Sequence, residues 1–77
     1  MKFIIIYEDD NRTLLFQSDD RNEVEKWFTN VLDQIQQKGG EIQCRAQDVA
    51  WGTVEDHSWK ITIYYDWEVE KLKNITV

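Results

Sequence analysis

One amphipathic helix, predicted over residues 20–38, constrains the fold more than any other feature of this sequence. Asp20 is predicted to cap its first turn, and Glu23 to complete a capping box. Gly39 and Gly40 are predicted to end it, because glycine adopts the left-handed backbone conformation at low cost. The apolar side chains recur at the spacing of one helix face: Val24, Trp27, Phe28, Val31, Leu32 and Ile35. Such a helix is stable when a second element covers its apolar stripe.

Strand patterns lie on both sides of this helix and predict the covering element. Residues 3–7 form an unbroken apolar run, typical of a central strand buried on both faces. A turn-forming acidic cluster separates this run from a second strand at 12–17. After the helix, residues 41–47 alternate between apolar and polar, and a slip at Asp48 indicates either a bulge or a break into two short strands. Residues 59–69 alternate strictly and are predicted to form the longest strand.

The order of these elements is β-β-α-β-β, which predicts a two-layer α+β fold. One helix would pack on one face of a mostly antiparallel four-stranded sheet. Residues 71–77 fit either a short last strand or a frayed end. A chain of 77 residues has no room for a second core, so we expect one small globular domain over residues 1–77. Its four Trp, three Tyr and three Phe are predicted to supply much of the core.

The net charge of −6 narrows the classes of partner. Nucleic acids and anionic membranes attract clustered basic residues, whereas here nine Lys and Arg are scattered among fifteen acids. No apolar run reaches the ~18–20 residues of a membrane span, and the apolar start is broken at Glu8, too soon for a signal peptide. A single cysteine favours a reducing compartment. We therefore expect a cytoplasmic protein that binds neither nucleic acid nor membranes and whose negative surface suits a basic partner.

The sequence contains no recognisable arrangement of catalytic or metal-binding residues. The one histidine, His57, lies in a predicted surface turn, and Cys44 lies on the apolar face of a predicted strand. Neither is therefore predicted to act as a base or a nucleophile. The acidic pairs coincide with predicted turns and with the helix start, where Asp is favoured for structural reasons. They lack the spacing of a calcium loop, and no set of Cys and His fits zinc. We expect no enzymatic activity, no cofactor and no metal.

Two surfaces are candidates for contact with a partner. The first is an apolar strip on the strand at 3–7, because a lone helix covers one sheet face and either Ile4 and Ile6 or else Phe3, Ile5 and Tyr7 would lie on the other. Ile4 and Ile6 are taken as the candidate contact residues. Long side chains of neighbouring strands are the alternative cover for this strip. The second is the outer face of the strand at 59–69, where alternate residues about 7 Å apart would form an acidic row. That row comprises Tyr64, Asp66, Glu68 and Glu70. An ordinary solvated strand has the same pattern.

These features lead to two hypotheses about function. The first is a small acidic protein-binding module that blocks a basic surface of a partner. This composition is shared with small inhibitors encoded by phages and mobile elements, some of which imitate the charge of nucleic acid. The second is a structural domain that associates with itself, as a homodimer formed through the apolar strip or through a sheet edge. The first hypothesis predicts clustered acids and salt-sensitive binding, whereas the second predicts a dimer that depends on concentration.

Overall fold

A computed structural model describes residues 1–72 and 74–76 and places them in an α+β fold, as predicted. Within this part of the chain the elements are β1 (Phe3–Glu8), β2 (Arg12–Ser18), α1 (Arg21–Gln37), β3 (Glu41–Arg45), β4 (Val49–Val54), β5 (His57–Tyr65), α2 (Asp66–Val69) and β6 (Ile75–Thr76). The described sheet has six strands rather than the four expected, and a second, short helix follows the longest strand.

The sheet is mixed, with the strand order β3-β4-β5-β1-β2-β6. All neighbouring strands pair antiparallel except β2 and β6, which pair parallel at its edge. β1 lies inside the sheet, where Ile5 is paired with Phe16 on one side and Ile63 on the other. The prediction of a central strand is therefore confirmed. Of the two alternatives for residues 71–77, residues 75 and 76 form a short strand, while Lys73 and Val77 lie outside the described residues.

The long helix α1 begins where it was predicted, although its first turn is held differently. The carboxylate of Asp20 accepts a hydrogen bond from the backbone N–H of Asn22 at 2.9 Å, so Asp20 is the N-cap. Glu23 does not close a capping box with Asp20; its carboxylate accepts a hydrogen bond from the hydroxyl of Ser18 at 3.3 Å. The Asp20 backbone N–H donates to the same hydroxyl oxygen at 3.0 Å. Ser18 therefore supplies the partner for the Asp20 N–H that Glu23 would have supplied in the predicted box.

The end of α1 is confirmed at the predicted glycine pair. Gly39 has a φ of 91°, and its N–H donates to the carbonyl of Gln36 at 3.0 Å. The N–H of Gly40 donates to the carbonyl of Ile35 at 2.8 Å. These two bonds are those of a Schellman motif, which satisfies carbonyls that the helix leaves without partners.

The principal core lies between α1 and one face of the sheet. Its buried members come from the helix and from β1, β4 and β5: Ile5, Val24, Phe28, Leu32, Ala50, Trp59, Ile61 and Ile63. The helix contributes three of the residues of its predicted apolar stripe, which confirms the face that the sequence assigned to the core.

The predicted strand over 59–69 is wrong in its second half, because β5 ends at Tyr65 and residues 66–69 form α2. Tyr65 is paired with Phe3, the first residue of β1, so a longer β5 would extend past its neighbour in the described sheet. The Glu68 carboxylate accepts a hydrogen bond from the Tyr65 backbone N–H at 3.0 Å, which stabilises a helical turn instead. The apolar alternation therefore continues beyond the point where the strand has a partner.

After α1, the change in alternation at Asp48 corresponds to a break between two strands. β3 and β4 are both short and pair as a hairpin. The prediction that Cys44 shares the core face with Ile42 is wrong. The pairing shifts between these two residues, so Ile42 is paired with Gly52 and Cys44 with Trp51. Side chains of successive residues alternate between faces, so this β-bulge places Cys44 on the face turned away from α1.

The sheet face that α1 leaves open also buries apolar residues. Ile4 and Ile6 alternate with the core residue Ile5 and therefore lie on that face, yet both are buried. The short helix α2, which follows β5, contacts β1 and β5. The exposed apolar strip expected from a single helix is therefore absent from the described surface.

Candidate protein-binding surface

The structure separates the residues of the predicted acidic row. Tyr64 is half-buried on β5, and its hydroxyl donates a hydrogen bond to Glu8 at 3.0 Å. Asp66 and Glu68 lie on α2, where their carboxylates accept hydrogen bonds from backbone N–H groups at 2.9–3.3 Å. Glu70 is exposed just beyond α2. The row was derived from strand geometry, so it does not exist in the described structure, and two of its acids stabilise a helical turn.

The two isoleucines predicted to contact a partner are not accessible. Ile4 is 5% exposed and Ile6 is 0% exposed. A partner would reach them only by displacing the atoms that cover them. They therefore belong to the packing of the molecule in this structure.

Glu8 holds three strands together on the same face of the sheet. Its side chain is 16% exposed and lies 3.2 Å from Arg12 Nε and 4.0 Å from Lys60 Nζ, besides the hydroxyl of Tyr64. Burial raises the pKa of Tyr64 above its usual value, and the hydrogen bond to Glu8 raises it further. Glu8 is thus bonded to side chains of both neighbouring strands, so we assign the cluster a structural role.

Four exposed acids of two hairpin turns gather at one end of the sheet, which we call the acidic end: Asp9, Asp10, Glu55 and Asp56. The two turns are neighbours because Glu8, before the first turn, is paired with Lys60, which lies near the start of β5. Asp9 accepts a hydrogen bond from the backbone N–H of Asn11 at 2.9 Å. Glu55 and Asp56 have φ angles of 48° and 66°, as in the two-residue turns that match the twist of a sheet.

The acids of the acidic end differ from other acids of the protein in their surroundings. Within residues 1–72 and 74–76, no Lys, Arg or His nitrogen lies within 4.0 Å of any of these four carboxylates. By contrast, Glu25 and Asp48 both pair with Arg21. Two of the four, Asp9 and Asp10, line an open concavity of about 380 Å³ together with Tyr7, Val54, His57 and Ser58. The acidic end therefore presents negative charge that the described chain does not neutralise at contact distance.

An apolar groove of about 390 Å³ lies between α1 and the turn end of the sheet. We call it the apolar groove; its lining residues are Tyr7, Leu15, Trp27, Val31, Gln34, Ile35, Lys38 and Val54. Trp27 is 41% exposed and stacks on Phe16, with the ring centroids 4.7 Å apart and the planes at 17°. Leu15 is 36% exposed because it is the extra residue of a β-bulge, where the pairing of β2 with β1 passes from Phe16 to Leu14.

The acidic end and the apolar groove form one continuous surface. Tyr7 and Val54 line both the groove and the acidic concavity, so the two depressions share a wall. Burial raises the pKa of Tyr7, and the charge of Asp9 raises it further. The Tyr7 hydroxyl therefore stays neutral at physiological pH and can donate a hydrogen bond at this boundary.

Sequence reasoning missed this surface for two separate reasons. Trp27 lies on the apolar stripe of α1, so periodicity assigned it to the core, whereas it is at the edge of the stripe and half-exposed. The sequence predicts that the acids of the acidic end form turns. Which turns are neighbours depends on the strand order, which the sequence does not show. Trp27 beside Phe28 was the one signal of a wider aromatic face, since two adjacent positions of a helix differ by about 100° in direction.

The fold and this surface define an α+β protein with a mixed six-stranded sheet and an acidic, partly apolar exposed end. In the described residues no helix is long and apolar enough to cross a membrane, and no group of three or more His, Cys, Asp or Glu side chains is arranged to hold a metal ion. Comparisons with protein-family models, curated proteins and solved structures find no match. The case for function therefore depends on the geometry of this surface.

Proposed function

We propose that this protein is a small acidic protein-binding module that blocks a basic surface of a partner protein with its acidic end. The observation that carries this proposal is that four exposed acids lie at one end of the sheet, with no cation at contact distance in the described chain. These acids are Asp9, Asp10, Glu55 and Asp56. Exposed like charges in one place repel one another weakly in water and gain energy when a partner supplies the opposite charge. A basic surface is the partner that this arrangement favours.

The backbone adds to the negative potential at the same end. Helix α1 ends there, since Ile35 and Lys38 of its last turns line the apolar groove. The free carbonyls at the C-terminus of a helix carry partial negative charge. Lys38 offsets part of that charge, while Asp9 and Asp10 lie on the far side of the shared wall formed by Tyr7 and Val54. Together with the net charge of −6, this field would speed encounters with a basic protein.

A pair of charge-neutralising variants tests the proposal. Asp10→Asn with Asp56→Asn removes two charges from the acidic end, and asparagine suits the positive φ of Asp56. Asp19→Asn with Asp33→Asn is the matched control, because both residues are exposed and lie outside the acidic end. The probe is a peptide of alternating lysine and glycine, titrated into the labelled protein and followed by NMR at about 50 and about 200 mM salt.

We expect chemical shifts to change mainly at the two hairpin turns, and affinity to fall with salt. At about 0.5 kcal/mol for each exposed charge contact, the variant of the acidic end should bind about fivefold more weakly. The control variant should keep most of the affinity. Equal losses in the two variants would mean that the total charge, rather than this surface, attracts the peptide, and would refute the proposal.

Self-association through a sheet edge is the alternative function, because β3 is at one edge of the described sheet. This edge has features that oppose pairing with a second copy: it is five residues long, it carries a bulge, and Glu41 and Arg45 are charged residues at its two ends. Arg45 is also held against α1, where it donates to Thr29 at 3.0 Å. Sedimentation over a range of concentrations tests the alternative, and a monomer at high micromolar concentration would exclude it.

A further inference from the structure

We propose that the apolar groove receives one large aliphatic or aromatic side chain of the partner, from a segment in which basic residues flank that side chain. This inference rests on the proposed function, because the basic residues of the segment would contact the acidic end. The apolar contact in the groove adds affinity and specificity that the charged contacts do not provide. The partner segment is thus defined by its chemistry: an apolar anchor beside lysine or arginine.

The size and lining of the groove suit such an anchor. Its volume of about 390 Å³ is that of a small ligand site, for which about 300–1,000 Å³ is usual. Six of its eight lining residues are aromatic or aliphatic, and the stem of Lys38 adds methylene groups to the wall. Gln34 supplies a polar group at the rim. An apolar side chain placed here would leave water and contact a largely apolar wall.

Trp27 is already fixed in the position that a binding surface requires. Its ring is stacked on Phe16 at 4.7 Å, yet 41% of the residue is exposed. A side chain that is held in place before binding loses little conformational entropy on binding. Tryptophan is also enriched among the few residues that supply most of the energy of protein interfaces. Trp27 is therefore the expected centre of the contact, with Leu15 opposite it on the bulge of β2.

Charge decides between the possible occupants of the groove. Tyr7 and Val54 form the boundary with the acidic concavity, so an anchored segment would continue past Asp9 and Asp10. One residue of extended chain spans about 3.3 Å, so basic residues close to the anchor in sequence would lie near Asp9 and Asp10. A second copy of this chain would bring another net charge of −6 to the same end, which disfavours self-docking here. A basic segment is favoured instead.

Selection from a random peptide library displayed on phage tests this inference with the intact protein. Leu15→Gln and Trp27→Ala alter the groove, and Trp51→Ala is the matched control, since Trp51 is 42% exposed but lies on the other face of the sheet. Thermal unfolding verifies that each variant is folded. Leu15→Gln keeps the test valid if removal of Trp27 from its stack on Phe16 destabilises the fold, because Leu15 is an exposed bulge residue.

We expect the selected peptides to combine at least one large apolar residue with neighbouring lysine or arginine. Their affinity should fall about tenfold or more in the groove variants and should change little in Trp51→Ala. Basic peptides without an apolar preference, bound equally by the groove variants, would overturn this inference and leave the proposed function intact. Selected peptides without basic residues, or no selected peptide at all, would overturn the proposed function and this inference together.

Discussion

The substitution Gly52→Ala sets two physical effects against each other. Glycine in a strand is costly because the unfolded chain gains so much freedom from it, so alanine at an open position would stabilise the protein by about 0.5–1 kcal/mol. Gly52 is not at an open position. A Cβ built there would overlap the backbone carbonyl oxygen of Glu41 and approach Trp59 Cζ2 to 3.0 Å. The structure thus predicts the opposite sign from the one that strand propensity predicts.

The magnitude follows from what the added methyl group would meet. The carbonyl of Glu41 is backbone on β3, so it can move away only if the edge strand shifts from β4. Overpacking of this kind costs about 1–3 kcal/mol, and a clash with backbone belongs near the upper end. After the entropic gain is subtracted, we expect a net loss of about 2 kcal/mol. A protein of this length has a free energy of unfolding of about 4–12 kcal/mol, so the loss is a large fraction of it.

Urea denaturation followed by circular dichroism measures this loss. With an m value near 1 kcal/mol/M, the midpoint should fall by about 2 M. Gly39→Ala is the control for a glycine substitution without a steric clash. Apart from its chain neighbours, no described atom lies within 4 Å of a Cβ at Gly39, and its φ of 91° costs alanine about 1–2 kcal/mol. Amide exchange should also rise along β3 in Gly52→Ala alone. If Gly52→Ala proves as stable as the unsubstituted protein, the packing of β3 on β4 described above is incorrect.

Two further predictions concern the sheet face that α1 leaves open. Ile6→Ala should lower the free energy of unfolding by about 3 kcal/mol, because a fully buried isoleucine leaves a cavity; a change within about 0.5 kcal/mol would indicate a surface position. Stability should also fall as the pH rises above 10.0, because the raised pKa of Tyr64 makes the unfolded state lose its proton first. Tyr64→Phe should make that alkaline loss less steep in pH-dependent urea denaturation, and an unchanged slope would contradict the assignment.

The parts of the fold that the sequence predicted correctly are those determined by neighbouring residues. The start and end of α1 depend on Asp20 and the glycine pair, whose contacts reach no further than five residues along the chain. The hairpin turns depend on acids that adopt unusual φ angles or bond their own backbone. Local chemistry of this kind is visible in a sequence without knowledge of the topology.

The errors concern features that depend on distant parts of the chain. β5 stops at Tyr65 because β1 starts at Phe3, and no pattern near residue 65 contains that information. Ile4 and Ile6 are buried on the face opposite α1, and no pattern near residues 4–6 shows that this face is covered. A bulge at Gln43 reverses which face of the sheet the later side chains of β3 occupy, whereas the alternating sequence predicts a regular strand.

The candidate surface shows why residue types could be predicted while the site could not. Asp9, Asp10, Glu55 and Asp56 each have a sufficient structural reason to be acidic or turn-forming, so each one taken alone indicates no function. Turn formation does not require that both turns be acidic, however, since asparagine and glycine satisfy the same backbone conformations without charge. The two turns together therefore carry more negative charge than their backbone conformations require. That excess lies beside an exposed tryptophan, which helix formation does not require either. Binding to a partner is a requirement that would account for both, and the variants that neutralise the turns test it separately from those that alter the groove.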